Sequence, residues 1–462
     1  MEFWGVRVIV RPIYNGKILE KNAMKTVQTY EEAVAYLLDI PKFAKKNTME
    51  DTKTFLKILN LPLQHKKIVH VAGTNGKGSV CCYLNNILNC AGKTTGLFTS
   101  PHLVDIRERF KINGEMVSKE AFFEAFLVVY NGVMSKTTDV LKEYHPTFFE
   151  FLFFMAMILF KEENIEYILL ETGLGGNLDA TNSLEDKELT IITQIGLDHT
   201  EYLGNTIEEI AGQKAGILRK NTKVLYFENY EAFSPVIENK AKSIGAILCP
   251  VGKKVYKDVK FRNKNIDFSY NSRYYDYIAI TVSGIAMYQV ENVSMALMAA
   301  EELLKKEEMP DKEALQSVLE STVWQGRMEE ALPDVFLDGA HNENGICAFL
   351  DSIKQLGQSP KSLLFTMVSD KDYKHIIQRI VDSGLFEKIV ITQLDNSRAL
   401  NVQEIMHQFI ECGRKEIVVI DNVEHAFKKL LDEKKSTEQV FVAGSLYLVG
   451  RIKEIIGRNQ ND

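Results

Sequence analysis

The residues with the clearest chemical potential are Gly73, Thr74, Asn75, Gly76, Lys77, Gly78 and Ser79, which stand in one unbroken run. Glycines let backbone N–H groups converge on phosphate oxygens, a lysine reaches terminal phosphates, and a serine hydroxyl can ligate magnesium. The run departs from the common G-x-x-x-x-G-K-[ST] spacing because Gly78 separates Lys77 from Ser79. Further along, Glu171 precedes Thr172, Gly173, Leu174, Gly175 and Gly176, so a carboxylate sits beside a tightly turning backbone and could hold magnesium. By residue type alone such a glutamate is more often a solvated surface residue, although Asp179, Thr181 and Asn182 close by weigh against that. Asp198 and His199 form a similar polar pair. Histidine is an uncommon ligand for hard magnesium, so chemistry alone favours a hydrogen-bonding or structural role for it. Lys214, between Gln213 and Ala215, reads by itself as an exposed helix lysine.

These residues need a scaffold that brings distant segments together. From Ile68 onward short β-branched runs alternate with segments of helical period, which predicts parallel strands linked by crossover helices and an α/β fold. Ile68 to Ala72 reads as a buried strand and the glycine run as the turn after it. Val80, Cys81, Leu84, Ile87 and Leu88 form the apolar stripe of the next helix. Further strands are predicted at Glu166 to Leu170, Leu189 to Ile195 and Lys223 to Phe227, each ending beside polar residues, so those ends should face a site. Between Lys254 and Tyr288 aromatic and polar residues alternate with Asn/Ser turn signals, predicting a small antiparallel insertion, and a helix follows from about Glu291 to Leu304.

After the charged stretch Lys305 to Lys312 a new βα series begins. Its strands are expected at Val335 to Asp338, Leu363 to Val368, Ile389 to Gln393, Ile417 to Ile420 and Val440 to Ala443, forming a second, smaller doubly wound unit. The domain boundary falls near residue 322. The Phe148 to Phe154 cluster, Phe149 apart, reads as the buried face of a core helix, and Cys81 and Cys82 as small buried hydrophobes.

Length and composition bound these readings. A chain of 462 residues at about 150 per domain holds more than one core, and 45% hydrophobic with 25% charged residues is the profile of a folded globular protein. The net charge of -7 offers no general attraction to nucleic acid or to an anionic membrane, so neither is expected as a partner. The longest apolar run, Phe151 to Phe160, falls short of the roughly 20 residues of a membrane span. Arg7 and Arg11 break up the apolar residues near the start, so no secretory signal is read there. Six cysteines without a C-x-x-C pair fit a reducing compartment, and the expected location is the cytoplasm.

A longer series of motifs makes the chain resemble the folylpolyglutamate synthase/dihydrofolate synthase family of the Mur ligase superfamily. The series runs GTNGKGS from Gly73, TSPHL from Thr99, RERF from Arg107, TFFEF from Thr147, ETGLGG from Glu171 and LDATN from Leu178. It continues with DHTEYLG from Asp198, KAGI from Lys214, GRME from Gly326, DGAHN from Asp338 and GSLYLVG from Gly444. The resemblance implies a P-loop-containing, Mur-ligase-like ATP-binding domain over residues 24–322 and a Rossmann-like glutamate-ligase domain over 323–462. Residues 1–23 lie outside the family pattern and read as an N-terminal extension, with Met24 as an alternative start.

The resemblance also implies roles. Ser79, Glu171 and His199 would hold Mg2+, overruling the plainer reading of His199. Lys214 would be carbamylated, which makes it a catalytic residue beside Lys77 and His341. Asn292 would read adenine, and Arg327 and Asp338 would reach ATP from the second domain. His341 and Ser445 would contact the incoming L-glutamate, while Phe149 and Asp179 would hold a pterin ring by stacking and hydrogen bonding.

The implied reaction is ATP-driven ligation through an acyl phosphate, adding L-glutamate to reduced folates and to dihydropteroate, by a monomer. Two alternatives are a Mur-type peptidoglycan ligase and a catalytically silent nucleotide-binding protein. The folate-branch motifs disfavour the first, and the presence of Lys77, Glu171 and His199 disfavours the second. Three positions depart from the family pattern: Asn177 stands for the usual Arg, Glu343 for Pro, and Tyr288 for the His that commonly precedes Gln289.

Overall fold

The computed structural model describes residues 27–461 apart from 41–46, 62, 64, 136–143, 163, 229, 253, 263, 396 and 397; the extension expected at 1–23 lies outside the described residues. The centre of the molecule is β1 (Lys67–Ala72), in which Val69, Val71 and Ala72 are fully buried, as a strand covered on both faces requires. Around it lie β2 (Thr95–Phe98), β3 (Phe110–Ile112), β4 (Glu115–Met116), β5 (Tyr167–Glu171), β6 (Leu189–Ile192), β7 (Lys223–Phe227) and β8 (Ile247–Val251). The order is β4-β3-β2-β5-β1-β6-β7-β8, parallel from β2 to β8, with β3 and β4 added antiparallel at one edge.

This order places the carboxyl ends of β5, β1 and β6 side by side at the middle of the sheet, where α/β folds bind ligands. Strand β6 stops before the expected Ile195. The next residues brace the glycine turn instead: the Gln194 carbonyl accepts from the Thr74 amide at 2.8 Å, and Thr74 Oγ1 and Gly196 exchange hydrogen bonds.

Helices cover both faces of the sheet. Helix Phe148–Glu162 buries Phe151, Leu152, Phe153, Phe154 and Phe160 completely, because it is apolar nearly all round and sits inside its own core cluster. The expected insertion is a three-stranded antiparallel sheet, β9 (Tyr256–Arg262), β10 (Asn265–Ser272) and β11 (Asp276–Ser283). In β10 the alternating Ile266, Phe268 and Tyr270 join the main core, the period-two pattern of a sheet with one wet face. The following helix starts earlier than expected, at Tyr288, and ends at Leu303.

The last sheet comprises β12 (Glu329–Leu332), β13 (Val335–Leu337), β14 (Lys361–Phe365), β15 (Lys388–Gln393), β16 (Val418–Asn422) and β17 (Gln439–Ala443), in the order β12-β13-β17-β14-β15-β16. All five expected strands are present; β12, paired antiparallel to β13, is too short to leave a readable period. Separate apolar clusters on its two faces give this sheet its own core. Among the described residues no helix is long and apolar enough to cross a membrane.

Candidate active site

The glycine run leaves β1 and becomes the N-terminus of helix Lys77–Cys90. Gly76 caps that helix at φ +86°, and a Cβ there would lie 2.4 Å from Asn292 Oδ1, so only glycine fits on both counts. Gly78 accounts for the unusual spacing, since its Cβ would sit 2.8 Å from the Trp324 ring, which packs on the first helical turn. Lys77 Nζ donates to the Thr74 carbonyl at 3.0 Å and lies 3.9 Å from Glu171 Oε1. The Ser79 hydroxyl is buried without a hydrogen-bond partner.

Glu171 ends β5 and is buried, against the surface role its residue type favours; its Oε2 accepts from the Ser100 amide at 2.9 Å. Burial raises its pKa, opposed chiefly by Lys77, the Ser100 amide and Arg327. His199 caps a one-turn helix, Thr200–Leu203, in a left-handed conformation at φ +51°. Burial, with help from Lys371, His341 and Lys77, pushes its pKa down to about 4, so the imidazole is neutral and its lone pair is available to a metal. Lys214 is not the exposed lysine its surroundings in the sequence suggest. It is 3% exposed, donates to the Gly73 carbonyl at 2.7 Å, and burial followed by the charge of Lys77 lowers its pKa to about 7.

A divalent cation fits this corner on the chemistry of the donors. An orphaned buried hydroxyl, a buried carboxylate and a neutral imidazole, from Ser79, Glu171 and His199, all line one cavity of about 320 Å³. Among the described residues no group of three or more His, Cys, Asp and Glu is placed to hold a metal ion, so a cation here would draw on the Ser79 hydroxyl or on non-protein oxygens as well.

The other wall comes from the C-terminal sheet. Arg327, His341, Lys371, Arg398 and Ser445 line the same cavity, and Asn292, Tyr288, Arg327, Asp338 and His341 line a smaller one that also reaches Asn75, Gly76 and Ser79. Asp338 is buried and its carboxylate accepts from the Tyr288 hydroxyl at 2.6 Å, the Met328 amide at 2.9 Å and the Ala340 amide at 2.8 Å. Tyr288, standing for the usual His, thus anchors Asp338. Glu343, standing for Pro, opens helix Glu343–Lys354 and pairs with Arg379 at 2.9 Å, a favourable place for an anion. Asn177 meets Gly216 so closely that a Cβ on the glycine would lie 2.4 Å from its own Cβ. The His341 Nδ1 faces the Gly339 carbonyl at 2.7 Å, and Ser445 Oγ accepts from the Tyr447 amide at 3.2 Å.

Asp198 stands out by residue type, but its partners lie far away in the chain. Lys371 donates to Asp198 Oδ1, His341 Nε2 stands 3.5 Å from Oδ2, and Asn342 donates to Oδ2 at 3.0 Å while exchanging hydrogen bonds with Asn75. Although burial opposes the charge, His341 first, then Lys371 and His199, hold the Asp198 carboxyl well below its usual range. Lys371 and Arg398 are site residues that the sequence reading missed. Asp370, Lys371 and Asp372 form a polar cluster in the loop beyond the carboxyl end of β14, at the end of the sheet where ligands bind, and that cluster was the available signal.

The expected pterin pair is placed differently. Phe149 lies 5.6 Å from the Phe98 ring, and Gly173 covers it so tightly that a Cβ would sit 2.7 Å from its ring carbons. Asp179 is buried, and its two oxygens accept from the amides of Gly173 and Leu174 (both 2.9 Å), the Thr181 amide (3.1 Å) and the Thr181 hydroxyl (2.5 Å). Four donors fill a carboxylate's ordinary complement, so Asp179 here holds the glycine-rich turn rather than offering itself to the cleft. Neither Phe149 nor Asp179 lines the large cavity; Gly173 does.

Sequence profiles of known families match both halves of this arrangement: the Mur ligase middle domain over residues 71–300, and the glutamate ligase domain of Mur ligases over 326–446. The dihydrofolate synthase/folylpolyglutamate synthase of Bacillus subtilis is 32% identical over 435 residues, covering 92% of this chain and 98% of that protein. The chain belongs to the folylpolyglutamate synthase/dihydrofolate synthase family. It is an ATP-dependent ligase. The folylpolyglutamate synthase of Lacticaseibacillus casei is 27% identical to this ligase over 432 residues, with 92% and 98% covered. E. coli FolC in complex with DHPP and ADP shares its fold, with a TM-score of 0.81 at 24% identity over 94% of this chain and 99% of that one. The bifunctional folylpolyglutamate synthase/dihydrofolate synthase from Yersinia pestis, complexed with AMPPNP and a Mn ion, superposes with a TM-score of 0.79 at 25% identity over 94% and 100%.

Proposed function

We propose that, in the ATP-dependent joining of L-glutamate to folates that its family membership gives it, this chain holds the nucleotide phosphates on Gly73–Ser79 with Lys77 on the terminal phosphate. Asn292 reads the adenine, and Arg327 approaches the nucleotide from the second unit, with Asp338 anchoring the segment around it. The two working units are residues 24–322 and 323–462. Ser79, Glu171 and His199 would hold Mg2+, which when bound offsets phosphate charge. The orphaned Ser79 hydroxyl supports this set.

In the reaction a substrate carboxylate oxygen attacks the γ-phosphorus and ADP leaves, giving an acyl phosphate. The glutamate amine then attacks the acyl carbon, and the tetrahedral intermediate collapses with loss of inorganic phosphate and a proton. Lys77 offsets charge that moves onto the leaving phosphate oxygens. His341 and Ser445 face the cleft where the amine must enter, and closure of the two units would keep water from the acyl phosphate. Lys214, with a pKa of about 7, has neutral amine available near pH 7. That amine can add to carbon dioxide with release of a proton, replacing a cation beside Lys77 by a carbamate anion. The reading includes dihydropteroate as a second acceptor, with Phe149 and the turn held by Asp179 on the pterin side. Six unpaired cysteines fit a cytoplasmic location, and a monomer suffices because one chain supplies both walls.

The observation that carries the proposal is the convergence in one cleft of the phosphate run, the Ser79, Glu171 and His199 corner, and His341 with Ser445 from the other sheet. The test is incorporation of radiolabelled glutamate with ATP and Mg2+, offering tetrahydrofolate, dihydropteroate and a UDP-muramyl peptide in parallel. Label in both folate products is expected. Label only with tetrahydrofolate removes the second acceptor, and label with the muramyl peptide overturns the substrate class.

A further inference from the structure

His70 lies fully buried in the middle of β1, and nothing above gives it a task. Its Nε2 is 2.7 Å from Thr181 Oγ1, and that hydroxyl is 2.5 Å from Asp179 Oδ1. A hydroxyl has one proton. Asp179 also receives the amides of Gly173, Leu174 and Thr181, so it is an acceptor on every side and takes the Thr181 proton as well. The Thr181 oxygen then has only lone pairs left for His70, so the ring must donate from Nε2 and carry a bare Nδ1. That Nδ1 is buried with no partner in hydrogen-bond reach, and neither has the hydroxyl of Thr190, its register neighbour on β6. Burial first, then the charges of Lys187 and Arg219, keeps the ring neutral.

We propose that His70 is a positioning residue for the folate-type substrate, acting through Thr181 and Asp179 to set the Gly173–Leu174 turn that walls the cleft and covers Phe149. The inference rests on the reading that the folate occupies the Phe149 side of the cleft. A fixed Nε2–H donor on the rigid central strand leaves the Thr181 hydroxyl one orientation, toward Asp179. Without it the hydroxyl can turn away, and one of the four bonds that shape the turn weakens. The phosphate run has different supports, Gln194 and Gly196 on Thr74, so the effect falls on the folate and not on ATP.

The test is steady-state kinetics of glutamate ligation to tetrahydrofolate with the full chain. His70→Leu should raise KM for the folate about tenfold while KM for ATP stays within about twofold. His70→Gln, whose amide N–H can take the place of Nε2–H, should return the folate KM to within about threefold of the parent. Thr181→Val should reproduce the His70→Leu phenotype, Thr181→Ser should not, and the His70→Leu/Thr181→Val double variant should be no worse than Thr181→Val alone. The inference is overturned by folate and ATP KM rising together, by His70→Gln behaving like His70→Leu, or by a folded His70→Leu with an unchanged folate KM. If His70→Leu does not fold, the two Thr181 variants decide by the same criteria. A parent protein that ligates glutamate to no folate overturns the substrate reading itself, and that result is read before any variant is made.

Discussion

The two sides of the cleft treat polar atoms in opposite ways. At the phosphate corner the Ser79 hydroxyl has no partner, Glu171 takes one amide and a distant lysine, and His199 is kept neutral. On the turn from Gly173 to Asn182 the buried Asp179 and Asn182 side chains are instead fully engaged. Asp179 takes four donors, and Asn182 is held by Lys187 and Arg219. A buried polar group without a partner is unstable unless a ligand completes it, whereas a saturated network fixes geometry. On the proposed reading, the incomplete Ser79 hydroxyl is where the nucleotide's cation would be held, and the saturated Asp179 network is the frame beside it.

Substitutions can break or sharpen that contrast. Lys77→Ala should lower turnover by about a thousandfold and leave the thermal midpoint within about 2 °C of the parent, because on the proposed reading the lysine would meet phosphate rather than core. A well-folded variant with parental turnover would remove the phosphate run from the site. Asp179→Ala should act the other way and destabilise the fold by about 3 kcal/mol in urea titrations, since it strands buried amides. A stability equal to the parent's would show that the saturated side is not a frame at all.

Lys214→Ala should lose most activity, with part of it recovered on adding formate or acetate, whose carboxylate can take the carbamate's place. A carbamate forms only from neutral amine, and Lys214 titrates near 7, below the ordinary lysine value. Activation by bicarbonate should therefore strengthen as pH rises from about 6 to about 8 and fade below that range. Intact mass in bicarbonate checks the adduct, and a bare lysine with full activity sinks the idea. His199→Ala and Ser79→Ala should raise the Mg2+ concentration for half-maximal rate about tenfold, a smaller change because on the proposed set each would remove one ligand of several. Titration curves that overlay the parent's would take both residues out of the metal set. The smallest effect is expected from Asn75→Ala, which loses its part-buried side-chain pairing with Asn342 and should change ATP KM by no more than about threefold.

Much of the frame was legible before any contact was known. Parallel strands buried on both faces are continuous apolar runs, and the glycine turn after β1 announces itself by composition, so both were read in place. The motif series then located the metal, nucleotide and glutamate candidates, and the cleft gathers most of them. What local pattern misread were single residues whose state depends on remote neighbours. Lys214 looked exposed because its helix is short and polar, but the Gly73 carbonyl buries it. The family resemblance gave Asp179 a place on a pterin ring, and no local pattern could show that four of the chain's own donors occupy it. Lys371 drew no attention because its partner Asp198 lies 173 residues earlier.

The amino-acid order by itself determined the alternation of strands and helices, the break between two doubly wound units, and the glycine-rich turn after β1, because each follows from periodicity or backbone freedom within a few neighbouring residues. Only the tertiary structure decided which polar atoms are left incomplete. It set the neutrality of His199 and His70, the lowered pKa of Lys214 and the saturation of Asp179, since these depend on desolvation and on partners brought together from separate strands. Sequence distance carries no information about dielectric surroundings or the count of nearby donors, and those two quantities separate a ligand from a brace.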